Sequence, residues 1–401
     1  MAWKVSCVMD ERLRFVAEVL EGRSVAVVCR EFGISRKTGH KWLARYRQLG
    51  PPGLVERSRA PRRSPQAVDE RMRAVIVAFK RTHMDLGPKK IVSLLERRHP
   101  QSGWPAPSTV GALLKSEGLV SAQRTRRSAT PSTQPLAHAD GPNAVWCADF
   151  KGWFATGEGR RCTPLTISDA FSRYLLRCQG LGGRTGYGVV RPLFDAAFRE
   201  FGLPRAIRTD NGPPFATTGL GGLSELNVWW MQLGIAPERI RPGHPEQNGR
   251  HERMHRTLKD GAIRPPAPTL RLQQRAFDRF THYYNHERPH EALGQRTPAE
   301  CYTGSARSYP TRLLPTDAYP AHWEIRKVKD SGRIKWRGCE LHLATPLTGL
   351  YVGLKPVDER RWLIHFMSLP LALLDDEHGR IRHLTPHLNE KFGCGAGPAS
   401  E

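Results

Sequence analysis

The stretch that most constrains this chain is His244 to Lys259, HPEQNGRHERMHRTLK. Pro245 and the turn-formers Asn248 and Gly249 open it, and no breaker follows as far as Lys259. The pattern predicts a loop feeding a helix. At 100° per residue, Glu252, His255, Arg256 and Lys259 share one face, and Met254 and Leu258 the other. A carboxylate one turn from several cations, on the solvent side of an anchored helix, suits a metal that must meet a polyanion. Taken alone, the same residues also describe a solvated face with an ordinary Glu–Arg pair, worth only a few tenths of a kcal/mol.

Charge says which polyanion to consider. The chain has 62 Lys and Arg against 38 Asp and Glu over 401 residues, a formal net charge of +24 and a pI near 10.2. Such an excess implies nucleic acid or an anionic membrane as partner. No window approaches eighteen uninterrupted apolar residues, which sets the membrane aside. The N-terminal MAWKVSCVMDERLRF also lacks the apolar run of a signal peptide. Eight cysteines are scattered without a C-x-x-C pair, and the sixteen histidines form no zinc-finger spacing. Reduced thiols and a cytoplasmic location are the expectation.

The length leaves room for two to four domains. Residues 10–50 predict three helices, with Ser24 and Ser35 as N-caps, a turn at Gly33-Ile34 and a stop at Gly50-Pro51-Pro52. A basic helix after a short Gly-containing turn is a helix-turn-helix pattern, and Arg36, Lys37, His40 and Lys41 would face a major groove. This defines a DNA-binding domain over 1–55. A basic, Pro-broken linker (56–65) leads to a second helix-turn-helix-like domain over 66–120. Its helices are read at Val68–Lys80, Pro88–Arg98 and, capped by Ser108, Thr109–Glu117. Residues 121–142 have no periodicity and read as an extended basic linker.

From 143 the pattern changes to strands at VWCADFKGWF, CTPLTIS and YLLRCQGL, an antiparallel meander. A helix (Val189–Phe201), a short strand (Arg205–Thr209), a helix (Ser224–Leu233) and a strand (Ile235–Ile240) follow. After the opening helix comes a long one from Leu270 to His286. Strands followed by alternating helix and strand predict an α/β layer with a mixed sheet over 143–305. Short strands between 310 and 392 predict a small β-barrel, and 393–401 a frayed tail.

Three acids stand out on that framework. Asp149 lies inside an apolar strand, where an ionised carboxylate needs a partner or a metal. Asp210 lies at a strand end, the rim where open α/β sheets bind ligands. Glu252 lies on the opening helix. Together they would hold two Mg²⁺ or Mn²⁺ ions about 4 Å apart for phosphoryl transfer, since oxygen-only ligands suit those ions rather than zinc. Asp169, in SDAFSR, reads instead as a turn-fixing side chain. Lys151, His255, Arg256 and Lys259 are candidates for phosphate contact, against generic basic surface.

These motifs resemble a known family, the insertion-sequence transposases with a core like that of retroviral integrase. WCADFKGWF looks like the family's first-Asp strand, ISDAFSRY its second strand and RTDNGPPF its second-Asp motif. HPEQNGRHERMHRTLK resembles its Glu helix, and YYNHERPHEALGQRTPAECY its closing helix and Y-N-x-x-R-P-H signature. The resemblance spans roughly residues 10–305. It implies a ribonuclease-H-like core, metal-dependent DNA strand cutting and joining, binding of terminal inverted repeats, a homo-oligomer and a bacterial, nucleoid-associated protein. No small-molecule substrate is expected. The family spacing of thirty-five residues, counted from Asp210 (211–245), lands on Glu246, whereas Glu252 follows forty-one residues, 211–251. Glu252 is preferred because the helix fixes its direction and the Arg-x-His-Arg-Thr-Leu-Lys run follows it as in the family. The Gly-rich TTGLGGLSE (217–225) absorbs the six extra residues at little cost. A non-catalytic DNA-binding regulator and a nuclease that cuts without joining are the alternative functions. The run Asn285 to His290 is read as structural, ending the last core helix and supporting the Glu helix.

Overall fold

The computed structural model describes residues 7–56, 68–120, 139–240 and 249–384. Most of the two basic linkers, Glu246 with its loop, and the C-terminal tail lie outside the described residues. The chain divides into two compact units, Met1–Asp69 and Glu70–Glu401.

In the first unit, α1 (Val8–Leu20), α2 (Val25–Glu31) and α3 (Arg36–Leu49) enclose Phe15, Val16, Val28, Cys29, Trp42, Leu43 and Leu54. Gly33, at φ +63°, supplies the left-handed turn into α3. Ser35 caps α3 as its sequence position predicts, its hydroxyl accepting from the Thr38 N–H at 3.2 Å. Gly39 is buried in α3 exactly where the helices cross. A Cβ there would run into Cys29 Sγ and the Phe15 ring.

The second unit begins with α4 (Glu70–Thr82), α5 (Pro88–Arg98) and α6 (Pro107–Ser116), closed around Ile76, Phe79, Ile91, Leu95, Val110 and Leu114. Ser108 does not cap α6: the helix starts one residue earlier with Pro107 in its first turn, where a missing N–H is no loss.

A mixed sheet follows. Its strands are β1 (Val145–Phe150), β2 (Phe154–Ala155), β3 (Arg161–Asp169), β4 (Leu175–Leu181), β5 (Ala206–Thr209) and β6 (Ala236–Arg239). The order is β4-β3-β1-β5-β6, antiparallel among the first three and parallel from β1 to β6. The single strand expected for VWCADFKGWF breaks after Phe150, where Gly152 takes φ +84°, and β2 resumes beside β3. Helices α7 (Tyr187–Phe201) and α8 (Glu225–Gln232) cover one face, packing Phe194, Phe198, Trp229 and Trp230 on Trp146 and Ala148. Near β3 and β4 the other face is covered by α9 (Gly249–Leu258) and α10 (Leu270–His282). Met254, Leu258, Phe277 and Phe280 meet Cys162, Leu175 and Cys178 there. The last helix stops at His282 rather than His286, because Tyr283–Glu287 widens into a π turn. Within that turn Asn285 takes both backbone groups of Leu175, accepting from N–H at 2.8 Å and donating to C=O at 2.9 Å. Tyr284 packs in the same cluster as Met254 of α9. Asn285 and Tyr284 thus tie the start of the run to β4 and to the cluster under α9.

Beyond residue 320, β7 (Glu324–Lys327), β10 (Tyr351–Pro356), β11 (Arg361–Phe366), β12 (Leu369–Asp375) and β13 (Arg380–His383) form an antiparallel sheet. Strands β8 (Arg333–Trp336) and β9 (Cys339–His342) form a separate hairpin. Strands β8 to β12 fall in the segments expected, β7 and β13 add to them, and among the described residues no ladder closes them into a barrel. Val352, Leu354, Ile364 and Phe366 of this sheet share a core with Val228 and Met231, so α8 is apolar on two sides. Among the described residues, no helix is long and apolar enough to cross a membrane.

The Gly39 crossing yields a stability prediction. Gly39→Val should destabilise the first unit by about 1–3 kcal/mol through overpacking, seen as a lower midpoint in chemical denaturation of this unit. An unchanged midpoint would mean that the crossing is looser than described.

Candidate active site

Strand alternation sorts the residues of β1. Trp146 and Ala148 enter the core beneath α7 and α8, while Val145 and Cys147 lie on the opposite face with Ala170 and Ala206. Asp149 belongs to that second face and is half-buried, its side chain 19 % exposed. The β1–β5 ladder pairs Val145 with Ala206, Trp146 with Ile207 and Cys147 with Arg208. The paired register ends there; Asp149 lies two residues further along β1, and Asp210 just past the end of the neighbouring β5. Asp210 itself follows the last residue of β5 and is half-buried, with Oδ1 accepting from the Gly212 N–H at 3.3 Å. Asn211 donates to the Ile240 carbonyl at 2.9 Å and so ties this loop to the end of β6.

Helix α9 reaches the same face through two histidines. Antiparallel pairing places Thr166 of β3 directly opposite Asp149. The Thr166 hydroxyl donates to the Asp149 carbonyl at 3.2 Å, and Nε2 of His251 and of His255 each lie 2.7 Å from its oxygen. Ser168 Oγ lies 3.2 Å from His251 Nδ1. His255 Nδ1 is 3.9 Å from Asp149 Oδ2. Burial pushes the His251 imidazole down to about 3. Burial first, then the neighbouring His251 and Lys151, pushes His255 down to about 2. Both rings are therefore neutral near pH 7.

This corrects one expectation. His255 does not share the solvent face with Arg256. It is buried with His251, Met254 and Leu258, and as a neutral ring it offers no positive charge to a phosphate. Glu252 and Arg256 are exposed on α9, Lys259 is half-buried just past its end, and Lys151 is half-buried beyond β1. Glu252 thus sits on the helix that the two histidines anchor beside Asp149. In the first unit, described by itself, Arg36, Lys37, His40 and Lys41 are all exposed along α3.

His251, Thr166 and Ser168 were not among the residues singled out from sequence. The signal was present in the spacing 251, 254, 255, 258, which is the buried stripe of a helix once histidine is counted as a neutral side chain. Asp169 acts as read. Its carboxylate accepts from the Asn143 N–H at 2.8 Å and from the Ser172 N–H and hydroxyl at 2.7 and 2.6 Å, closing the β3–β4 turn.

Comparison with known proteins agrees with this architecture. Residues 139–245 and 233–298 each match a family described as integrase core domain. Residues 11–62 match a helix-turn-helix domain and 38–114 a homeodomain-like domain. The chain is 29% identical over 285 residues to an uncharacterized protein of insertion element IS476 from Xanthomonas euvesicatoria, covering 70% of this chain and 79% of that protein. It is 27% identical over 230 residues to the Escherichia coli transposase InsD of insertion element IS2, covering 53% of this chain and 72% of that one. The HTLV-2 integrase catalytic core domain, solved in complex with magnesium, aligns with 42% of this chain and 100% of its own length at 18% identity and a TM-score of 0.33. The chain carries an integrase core domain behind helix-turn-helix segments. It is a homologue of insertion-element transposases.

The shared hydroxyl makes a direct test. Thr166→Val keeps the shape but leaves two buried imidazole N–H groups without their acceptor, and should lower stability by about 1–3 kcal/mol. Urea denaturation of the full chain measures this; a neutral result would mean that the histidines are held by packing alone.

Proposed function

We propose that this transposase homologue cuts DNA to expose 3′ ends of a mobile element and joins those ends to target DNA, after binding the element's terminal inverted repeats. The observation that supports the reading is the parallel pairing of β1 with β5, which, if continued by two residues, would bring Asp149 and Asp210 side by side, with Glu252 on the helix packed over the same sheet face. An acid-only trio suits Mg²⁺ or Mn²⁺. Three carboxylates would suit two such ions: a half-buried one on β1, a second just past the end of β5 and a third on α9, which the histidines hold against the sheet. Bound there, the ions would stabilise charge on the attacking and leaving oxygens of an in-line phosphoryl transfer.

The protein's own residues supply position. Arg256 and Lys259 follow Glu252 within about two turns of α9, where their charges would hold phosphates of a DNA strand beside the acids. Lys151 leaves β1 two residues after Asp149 and would do the same from the sheet side. Arg36, Lys37, His40 and Lys41 would contact the repeat through phosphates and major-groove edges. Two element ends have to be handled together, so the working form would be a homo-oligomer. Under this scheme no serine or tyrosine nucleophile is needed.

A strand-transfer assay with pre-cut repeat ends in Mg²⁺ tests the reading. The native chain should give joined product, Glu252→Gln should reduce it at least 100-fold, on the order of the loss when a key transition-state group is removed, and Glu246→Gln should leave most of it. Cut product without joining would make the protein a nuclease, and a gel shift alone a DNA-binding regulator. Loss with Glu246→Gln but not Glu252→Gln would move the third acid into the preceding loop.

A further inference from the structure

Beside Asp149 lies a set of donors that a site of three carboxylates does not use. Ligand atoms of Asp149, His251 and His255 all lie within 4.8 Å of one another. Counting protons around Thr166 decides which ring nitrogens are available. A carbonyl oxygen only accepts, so the Thr166 hydrogen goes to the Asp149 carbonyl, 3.2 Å away. Both imidazoles must then donate to the Thr166 oxygen through Nε2–H, each at 2.7 Å, which fills its two lone pairs. The tautomers follow from this network. His251 Nδ1 is left as an acceptor, and the Ser168 hydroxyl lies 3.2 Å from it to donate.

His255 Nδ1 is likewise left with a lone pair, and it faces Asp149 Oδ2 across 3.9 Å. That gap is too long for a hydrogen bond, and neither atom carries a proton for the other. It does match two ligands of one cation. Bonds of roughly 2.0–2.2 Å to nitrogen and oxygen allow the two donors to be up to about 4.3 Å apart. The fixed tautomer is the usual companion of a metal-binding histidine, whose second nitrogen donates to a neighbouring oxygen.

We propose that His255, through Nδ1, joins Asp149 as a ligand of the divalent ion held at that carboxylate, giving a mixed nitrogen–oxygen site. Thr166 and His251 are positioning residues that hold the ring in this tautomer. A nitrogen donor shifts selectivity away from Mg²⁺ toward Mn²⁺ and later first-row ions. The inference rests on the metal-dependent reading of the core, and its test separates the two.

Pulsed electron paramagnetic resonance on the full chain loaded with one equivalent of Mn²⁺ reads directly bound nitrogen as ¹⁴N modulation. The proposal expects that modulation in the native protein, a change in its frequencies on ¹⁵N-histidine labelling, and its loss in His255→Asn. Retention in His255→Asn would overturn it. So would bound Mn²⁺ that requires Asp149 yet shows no nitrogen modulation in the native protein, a result that leaves the carboxylate site standing. Mn²⁺ binding that is absent, or unchanged in Asp149→Asn, would overturn both readings. Should His255→Asn not fold, the native and ¹⁵N-histidine spectra still decide whether a histidine is bound.

Discussion

One hydroxyl joins the two layers on which this core depends. Thr166 sits in the middle of β3, opposite Asp149, and the two histidines of α9 converge on its oxygen. Buried polar groups are costly unless satisfied, so α9 has one rotational setting in which both rings find a partner. Met254 and Leu258 fill the adjoining apolar cluster in that same setting. The direction of Glu252 follows, since it is fixed by the same helix. Here a polar lock fixes the helix that carries Glu252 against the strand that carries Asp149.

The remaining contacts of the second unit are of a different kind. Lys89–Glu291 and Arg97–Glu300 link α5 to the segment after α10, but both pairs are largely exposed, where solvent screening leaves an ion pair little net worth. Arg288–Asp85 is more enclosed and is reinforced by Tyr283, whose hydroxyl donates to the same carboxylate at 3.0 Å. At the other end of the sheet the attachment is apolar: α8 gives Trp229 and Trp230 to the central core, and Val228 and Met231 to the C-terminal sheet. The C-terminal strands are thus built onto the integrase core through a shared helix.

Much of this was legible in the chain. The helix starts after Ser24 and Ser35, the Pro88 start and the succession of strands and helices that makes a mixed sheet all follow from local chemistry. Asp149 was conspicuous because an acid in an apolar strand demands an explanation. What could not be read had a common cause, long-range pairing. The break after Phe150 reflects where β3 offers partners, and whether the C-terminal strands close depends on edges far apart in sequence. The inward turn of His255 was hidden by treating histidine as a cation, whereas its environment makes it a neutral hydrogen-bonding core residue. The six extra residues before Glu252 are read from sequence as an insertion, and Glu246 with its loop lies outside the described residues.

The central claim is convergence of the acids at 149, 210 and 252 around divalent ions. A crystal structure of the full chain grown with Mn²⁺, with anomalous scattering used to place the ions, tests it most directly. The account predicts two anomalous peaks about 4 Å apart, both touching Asp149 or its neighbours Asp210 and Glu252. Peaks elsewhere, or the three carboxyls separated by more than about 10 Å with ions present, would contradict it, since such a gap exceeds what a two-metal clamp spans.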